Sequence, residues 1–278
     1  MFLGYNTNGF AHHRLEDAIS ILADLGYRAI ALTLDVHHLD PFASDLHDRL
    51  DAVRRQLVRH NMSCVIETGA RFLLDPRRKH QPTLLSSLAS ERQIRLDFLK
   101  RCISIASELN ASCVSFWSGA ATEPATDDEL MLRLTDGCRQ LIERAEEKHI
   151  ALAFEPEPGM FIDTMEKFSQ LHSNLNHPLF GLTIDIGHLV FGGELPVSRY
   201  LGDWKQILSN VHIEDMRPGI HDHLMIGEGE VDFDDVFSGL RKAEYKGGVF
   251  VELSRHSYDA VESARKAKAL LDRYIGNT

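Results

Sequence analysis

The sequence predicts an α/β protein built as a single (β/α)8 TIM barrel over residues 1–278. Short, nearly continuous apolar runs alternate with longer amphipathic runs along the whole chain, and there are eight of each. Continuous apolar runs are typical of parallel strands that are buried on both faces. No glycine-rich phosphate-binding motif follows the first run, which disfavours the alternative, a doubly wound open sheet.

Each predicted strand is a short apolar run that ends at a polar residue. The eight predicted strands are Phe2–Tyr5, Ala29–Leu34, Ser63–Ile66, Cys113–Phe116, Ile150–Phe154, Leu182–Ile184, Asn210–Ile213 and Gly248–Val251. The long segment at residues 70–89 interrupts the rhythm, and a loop of this length in a compact domain is usually functional or mobile.

The predicted helices show apolar residues at spacings of three and four. In the first helix, for example, this stripe contains Leu15, Ile19 and Leu22. Acidic residues after Thr126 suit the start of the fourth helix. The eight predicted helices are Leu15–Leu25, Leu46–His60, Ser90–Leu109, Thr126–Lys148, Asp163–Leu175, Val197–Leu208, Asp232–Ala243 and Ser257–Tyr274.

Composition limits the classes of partner. The formal net charge is −11, and the one dense basic cluster is the short run at Arg77–His80. A nucleic-acid-binding surface normally requires a basic stripe, so we expect no nucleic-acid partner. No apolar run is long enough to span a membrane, and the amino-terminal residues lack the features of a secretion signal. We therefore expect no membrane partner and a cytoplasmic location.

The four cysteines indicate a reducing compartment. Cys64 and Cys113 lie in predicted strands, Cys102 and Cys138 lie in predicted helices, and no pair has CxxC spacing. These positions predict buried, reduced thiols and no disulfide framework.

Polar side chains stand at nearly every strand end, where the active sites of TIM barrels lie. Taken singly, such an Asp is as readily a helix cap, and such a His a structural group. Four potential metal ligands at the ends of strands five to eight are harder to explain that way: Glu155, Asp185, His212 and Glu252. Two Glu, one Asp and one His suit a hard divalent ion such as Mn²⁺, Mg²⁺, Co²⁺ or Zn²⁺, and not a thiolate zinc cluster.

The second half of the chain also carries several local motifs. They are Glu155-Pro156, Asp185-x-x-His188, His212 followed by Asp215, His223 before Gly227-Glu228-Gly229, and Gly247 five residues before Glu252. With these motifs the chain resembles the xylose isomerase-like TIM barrels, which include sugar phosphate isomerases and epimerases, ketose 3-epimerases, hydroxypyruvate isomerase and apurinic-site endonucleases.

The resemblance implies that Glu155, Asp185, His212 and Glu252 bind one divalent metal ion. It also implies that Glu155 and Glu252 exchange the proton of the reacting carbon. The candidates for contacts with the substrate are His188, Arg217, His223, Glu157 and Trp117. Two of these have an equally good structural interpretation, since Glu157 suits a turn and Trp117 could plug the barrel.

The predicted function is a metal-dependent isomerase or epimerase of a sugar, a sugar phosphate or a hydroxy-ketone, acting through a metal-stabilised enediolate. The alternatives are a metal-dependent polyol dehydratase or lyase and a non-catalytic metabolite-binding barrel. An endonuclease is disfavoured by the acidic charge and by His221, which stands where that branch has an Asp. The sequence leaves open whether Arg71 and Lys79 bind a substrate anion or are simply solvated. A homodimer is expected on the resemblance alone.

Overall fold

The computed structural model describes residues 1–276, in which ten strands and nine α-helices follow one another. The strands are β1 (Phe2–Asn6), β2 (Ala29–Thr33), β3 (Ser63–Glu67), β4 (Cys113–Phe116), β5 (Ala151–Phe154), β6 (Phe180–Asp185), β7 (Leu208–Ile213), β8 (Asp215–Arg217), β9 (Ile220–Leu224) and β10 (Gly248–Val251). The helices are α1 (Leu15–Asp24), α2 (Leu46–His60), α3 (Ala89–Leu109), α4 (Asp127–Lys148), α5 (Met165–Leu175), α6 (Ile186–Phe191), α7 (Val197–Asp203), α8 (Phe233–Lys242) and α9 (Ala260–Ile275).

Eight of these strands close into a parallel barrel, which confirms the predicted fold. The order around the barrel is β1, β10, β7, β6, β5, β4, β3 and β2. Closure comes from β1, which pairs in parallel with β2 on one side and with β10 on the other. Because the sheet closes on itself, it leaves no unpaired edge.

The structure differs from the predicted elements mainly after the sixth barrel strand. The short helix α6 was not predicted; it begins directly after Asp185, whose carboxylate caps it by accepting a hydrogen bond from the His188 amide at 2.9 Å. The predicted helix Val197–Leu208 is shorter and ends at Asp203. The segment predicted as a loop after His212 is a hairpin of β8 and β9, which turns at Gly219 with a φ of +70°.

The inside of the barrel is apolar at one end and polar at the other. Six residues from five strands form a small apolar cluster of their own: Ala29, Ala31, Val65, Cys113, Ala153 and Phe250. On each of these five strands, a polar residue follows two positions beyond the last member of the cluster: Thr33, Glu67, Ser115, Glu155 and Glu252. Since alternate residues of a strand face the same side, the carboxyl ends of the strands surround a polar chamber.

The thiols agree with a further expectation. All four cysteines are buried and free, as the sequence predicted. No helix within residues 1–276 is both long enough and apolar enough to cross a membrane.

Asp215 fixes the hairpin and the loop that follows it. One carboxylate oxygen accepts hydrogen bonds from the amides of Met216 and Val231, each at 3.0 Å, and the other accepts the Gly227 amide at 2.8 Å. The side chain is 1% exposed. Three amide donors therefore balance a buried charge that would otherwise be costly.

We expect Asp215→Asn to lower the free energy of unfolding by about 2 kcal/mol. The side-chain NH2 group of Asn would replace one carboxylate oxygen, and it cannot accept a hydrogen bond from a backbone amide. Thermal unfolding followed by circular dichroism measures the change. The control is Asp203→Asn at an exposed position of α7, where we expect about 0.5 kcal/mol or less. Equal melting temperatures for the two variants would contradict this role of Asp215.

Candidate metal centre

The four predicted metal ligands converge on the polar chamber. Glu155, Asp185, His212 and Glu252 come from β5, β6, β7 and β10 or from the residue that follows, and these four strands are consecutive in the barrel. One ligand atom of each residue lies within 4.8 Å of those of the other three. The His212 Nδ1 atom lies 3.0 Å from Glu252 Oε2, 3.2 Å from Glu155 Oε1 and 3.9 Å from Asp185 Oδ2.

These donors fit a divalent cation. Asp185 Oδ2 is buried and has no hydrogen-bond partner within residues 1–276, and such an atom is costly unless a cation or donor faces it. Burial lowers the pKa of His212, but the nearby carboxylates of Glu67, Glu155 and Glu252 raise it well above its ordinary value overall. The chamber therefore stabilises positive charge between its carboxylates. Three oxygen donors and one nitrogen donor are a suitable ligand set for a hard or borderline metal.

The two glutamates of this group have different electrostatic surroundings. Burial raises the pKa of Glu155 to about 8, with a smaller opposing effect from His212. Burial also acts to raise the pKa of Glu252, but the charge and hydrogen bond of His212 outweigh it and the pKa is lowered overall. Glu155 and Glu252 therefore differ in basicity, although both lie beside the His212 imidazole.

Glu67 orients His212 from across the barrel, since β3 lies opposite β7 in the ring. The Glu67 Oε1 atom is 2.9 Å from His212 Nε2 and accepts a further hydrogen bond from Asn210 Nδ2 at 3.1 Å. A proton on Nε2 leaves Nδ1 free to bind a metal ion, which is the usual arrangement of carboxylate, histidine and metal. The sequence marked Glu67 as a strand-end residue but did not place it in the site.

Asn8 plays a similar part for Glu252. Its Nδ2 atom donates to Glu252 Oε1 at 2.8 Å, while Glu252 Oε2 faces His212. Asn8 lies in the short helix of the 3₁₀ type at Thr7–Phe10, directly after β1. The only signal for it in the sequence was the run of polar residues after the first strand.

A second cluster of imidazoles lies beside the four ligands. His188, His221 and His223 offer nitrogen atoms within 4.8 Å of one another, and the Nε2 atoms of His188 and His221 are 3.2 Å apart. The pKa of His188 is lowered to about 4, chiefly by burial; Asp185 acts to raise it, and His223 and His221 act to lower it. His188 is therefore neutral at physiological pH and has one ring nitrogen available as an acceptor.

A cleft of about 260 Å³ opens above the metal ligands. A volume of this size suits a small metabolite. Three of the predicted substrate contacts line it, namely Glu157, Trp117 and His223. His188 lies just below it, with its Nδ1 atom 3.8 Å from Glu155 Oε1 and 3.9 Å from Glu157 Oε2.

Arg217 is the one predicted contact that the structure does not bring to the cleft. It is exposed at the end of β8, and its guanidinium donates to the Glu228 carbonyl oxygen at 2.7 Å. The hairpin, which the sequence did not predict, directs this residue away from the ligands. The cations that line the cleft are Arg71, Lys79 and Arg255.

The sequence profile of the family described as "Xylose isomerase-like TIM barrel" matches residues 19–274. The curated relatives include L-ribulose-5-phosphate 3-epimerase UlaE of Escherichia coli (strain SMS-3-5 / SECEC), which is 24% identical over 257 residues, covering 91% of this chain and 87% of the relative.

Solved structures share the whole fold. D-allulose 3-epimerase from Methylomonas sp. in complex with D-allulose superposes with a TM-score of 0.80 at 18% identity, covering 99% of this chain and 97% of that one. The IOLI protein with a bound zinc atom gives a TM-score of 0.78 at 18% identity, with 99% of each chain covered.

The position of Glu67 generates a prediction about metal affinity. We expect Glu67→Ala to raise the Kd for Mn²⁺ by about 10- to 100-fold, because His212 loses the acceptor that orients its ring. Glu67→Gln keeps an acceptor oxygen and should recover part of the loss. Isothermal titration calorimetry measures both values.

The matched control is Glu108→Ala, at an exposed position of α3, which should bind Mn²⁺ like the wild type. Wild-type affinity in Glu67→Ala would show that His212 does not need this hydrogen bond.

Proposed function

Because the chain belongs to the xylose isomerase-like TIM barrel family, we propose that it is a metal-dependent sugar isomerase or epimerase. One observation carries the proposal. The carboxylates of Glu155 and Glu252 lie within 3.2 Å of the same imidazole nitrogen at the floor of a metabolite-sized cleft. Two such carboxylates can serve a proton removal and a proton return at one carbon.

The proposed metal ligands are Glu155, Asp185, His212 and Glu252. When bound there, a divalent ion such as Mn²⁺, Mg²⁺, Co²⁺ or Zn²⁺ supplies a Lewis acid that favours negative charge on two adjacent substrate oxygens. The zinc atom of the IOLI structure supports the presence of a metal in this family, while the donor set alone admits several metals.

The residues of the chain carry the proton transfer. In the proposed reaction one of the two carboxylates, Glu155 or Glu252, removes the proton of a carbon next to the substrate carbonyl, which gives an enediolate. The other returns a proton to the same or to the opposite face. The protein holds both carboxylates next to the bound substrate, so no encounter by diffusion is needed. This proximity compensates for the weak basicity of a carboxylate.

Four further residues surround the two carboxylates. Asn8 holds Glu252 by its Oε1 atom and so leaves Oε2 directed into the chamber. His188, neutral and 3.8 Å from Glu155, is placed to pass a proton to a substrate oxygen. Glu157 and Trp117, from the loops after β5 and β4, line the cleft and are proposed to contact the substrate.

The relatives suggest the class of substrate. One is an L-ribulose-5-phosphate 3-epimerase, and another was solved in complex with D-allulose. We therefore favour a ketose or a ketose phosphate and epimerisation at the carbon next to the carbonyl.

The first expected outcome concerns metal content. The purified protein should contain about one divalent ion per chain, and His212→Ala should lose it, because the central nitrogen ligand is removed. Inductively coupled plasma mass spectrometry measures the content, with Mn²⁺ titration as a check for a weakly held ion. His47→Ala, at an exposed position of α2, is the control. A wild type that stays empty after titration would rule out the metal-dependent reaction.

The second expected outcome concerns turnover. Glu155→Gln and Glu252→Gln should each lower the rate of proton exchange by at least about 100-fold, because each removes one proton-transfer group. Nuclear magnetic resonance in D₂O follows exchange on a panel of ketoses and ketose phosphates. Deuterium at C3 identifies epimerisation, whereas deuterium at C1 identifies isomerisation.

The control for these variants is Glu143→Gln, at an exposed position of α4. Circular dichroism should show that all three variants keep the barrel. Wild-type rates in both Glu155→Gln and Glu252→Gln would refute the assigned roles.

A further inference from the structure

The loop between β3 and α3 adds a cationic wall to the cleft. Arg71 and Lys79 come from this loop and line the same cavity as the metal ligands. The loop follows β3, which is opposite β7 in the barrel, so its cations stand on the side facing the strand of His212.

The two cations are held close together by a clamp at the base of the loop. The backbone amide of His80 donates to the Arg71 carbonyl oxygen at 2.6 Å, and His80 Nδ1 lies 2.8 Å from the Gly69 carbonyl oxygen. These contacts join the start of the loop to its end. Lys79 is therefore adjacent to the residue that is hydrogen-bonded to Arg71, so the two cationic residues are close along the base of the loop.

The buried Arg95 of α3 secures this clamp. Its side chain is 3% exposed and donates to the carbonyl oxygens of Pro82 at 2.9 Å and His80 at 2.8 Å. Its guanidinium also lies 4.9 Å from the ring centroid of Trp117. Burial lowers the pKa of Arg95 to about 10, so it keeps its charge at neutral pH and adds to the positive potential on this side.

The side chains of Arg71 and Lys79 have no counter-charge in the part of the chain that the structure describes. Among residues 1–276, no carboxylate lies within 4.0 Å of either side-chain cation, and neither side chain makes a hydrogen bond. Arg255, the third cation that lines the cleft, is paired with Asp222 and the His221 carbonyl oxygen, and Arg78 of the same loop is paired with Asp75 and Glu91. Pairing of the neighbours leaves two positive charges directed at the cleft.

The His80 imidazole lies within this cationic loop. Its pKa is lowered to about 4, first by burial and then by Lys79, Arg95 and Arg71, while the hydrogen bond to Gly69 acts in the opposite direction. The imidazole is thus neutral and contributes a hydrogen-bonding group rather than a third charge in the loop.

We propose that Arg71 and Lys79 form an anion subsite that binds the phosphate group of a phosphorylated sugar at the end remote from the reacting carbon. Two unpaired cations match the charge of a phosphate monoester, which is close to −2 at neutral pH, better than that of a single carboxylate. The inference deepens the proposed function and rests on it for the identity of the sugar, but the subsite can be tested without turnover.

The test uses substrate analogues that cannot undergo the proposed reaction, because they have neither an aldehyde nor a ketone group. Ribitol, ribitol 5-phosphate and ribonate are titrated by calorimetry into the Mn²⁺-loaded wild-type protein and the Arg71→Gln/Lys79→Gln double variant. We expect ribitol 5-phosphate to bind the wild type at least about tenfold more tightly than ribitol, and the double variant to lose that advantage. The matched control is Arg77→Gln, an exposed cation of the same loop outside the cleft, which should keep it.

Each result is decisive for the subsite. Equal affinity of the wild type for ribitol and ribitol 5-phosphate would overturn the proposal, as would an advantage that survives in the double variant. Tighter binding of ribonate than of ribitol 5-phosphate, lost in the double variant, would overturn the assignment to phosphate. Absence of deuterium exchange on every ketose, with the phosphate advantage intact, would refute the epimerase proposal and leave the subsite standing.

Discussion

The hydrogen bond between Glu67 and His212 is the contact on which the arrangement of the site depends. It spans the barrel between opposite strands, β3 and β7, and joins residues 145 positions apart in the chain. Burying several carboxylates close together is unfavourable unless positive charge lies among them. Glu67 contacts the Nε2 atom of His212. The Nδ1 atom of the same ring therefore faces Glu155, Asp185 and Glu252. Positive charge that balances these carboxylates must lie close to Nδ1.

The barrel can hold such a site because of the simple alternation along its strands. Ala29, Ala31 and Ala153 are small enough for Phe250 to fill the lower interior, and a Cβ atom on Gly4 would lie 2.4 Å from the Phe250 ring. This apolar layer contributes to the stability of the closed barrel, together with the larger core that packs between the strands and the helices. The layer above it is free to carry charged and polar groups. Stability and chemistry are therefore divided between successive layers of the same strands, and the chemical layer lies at the end where the loops add further residues.

The sequence predicted the parts that depend on local pattern and missed those that depend on contacts across the barrel. The barrel itself and the convergence of Glu155, Asp185, His212 and Glu252 followed from strand ends alone, because parallel strands bring those ends together. Glu67 and Asn8 are also polar residues that follow predicted strands. Their roles, however, depend on the residues that they contact across the barrel, and no local sequence pattern specifies those contacts. The helix α6 was missed because it is only six residues long. Arg217 was predicted as a substrate contact on the family resemblance, but the unpredicted hairpin of β8 and β9 turns it outward.

The distribution of charge in the cleft also distinguishes this barrel from the common TIM-barrel arrangement, in which the loops after the last two barrel strands bind phosphate. Here those loops contribute His223, Glu252 and an Arg255 that is already paired with Asp222. The proposed metal ligands thus occupy the side where a phosphate would otherwise lie, and the two cations of the proposed anion subsite, Arg71 and Lys79, stand on the loop after β3. A carbon that exchanges its proton between two carboxylates must stay fixed while its substituents rearrange. Contacts at both ends of the substrate meet that requirement, and a cleft with carboxylates at its floor and cations on its wall provides them in one defined orientation.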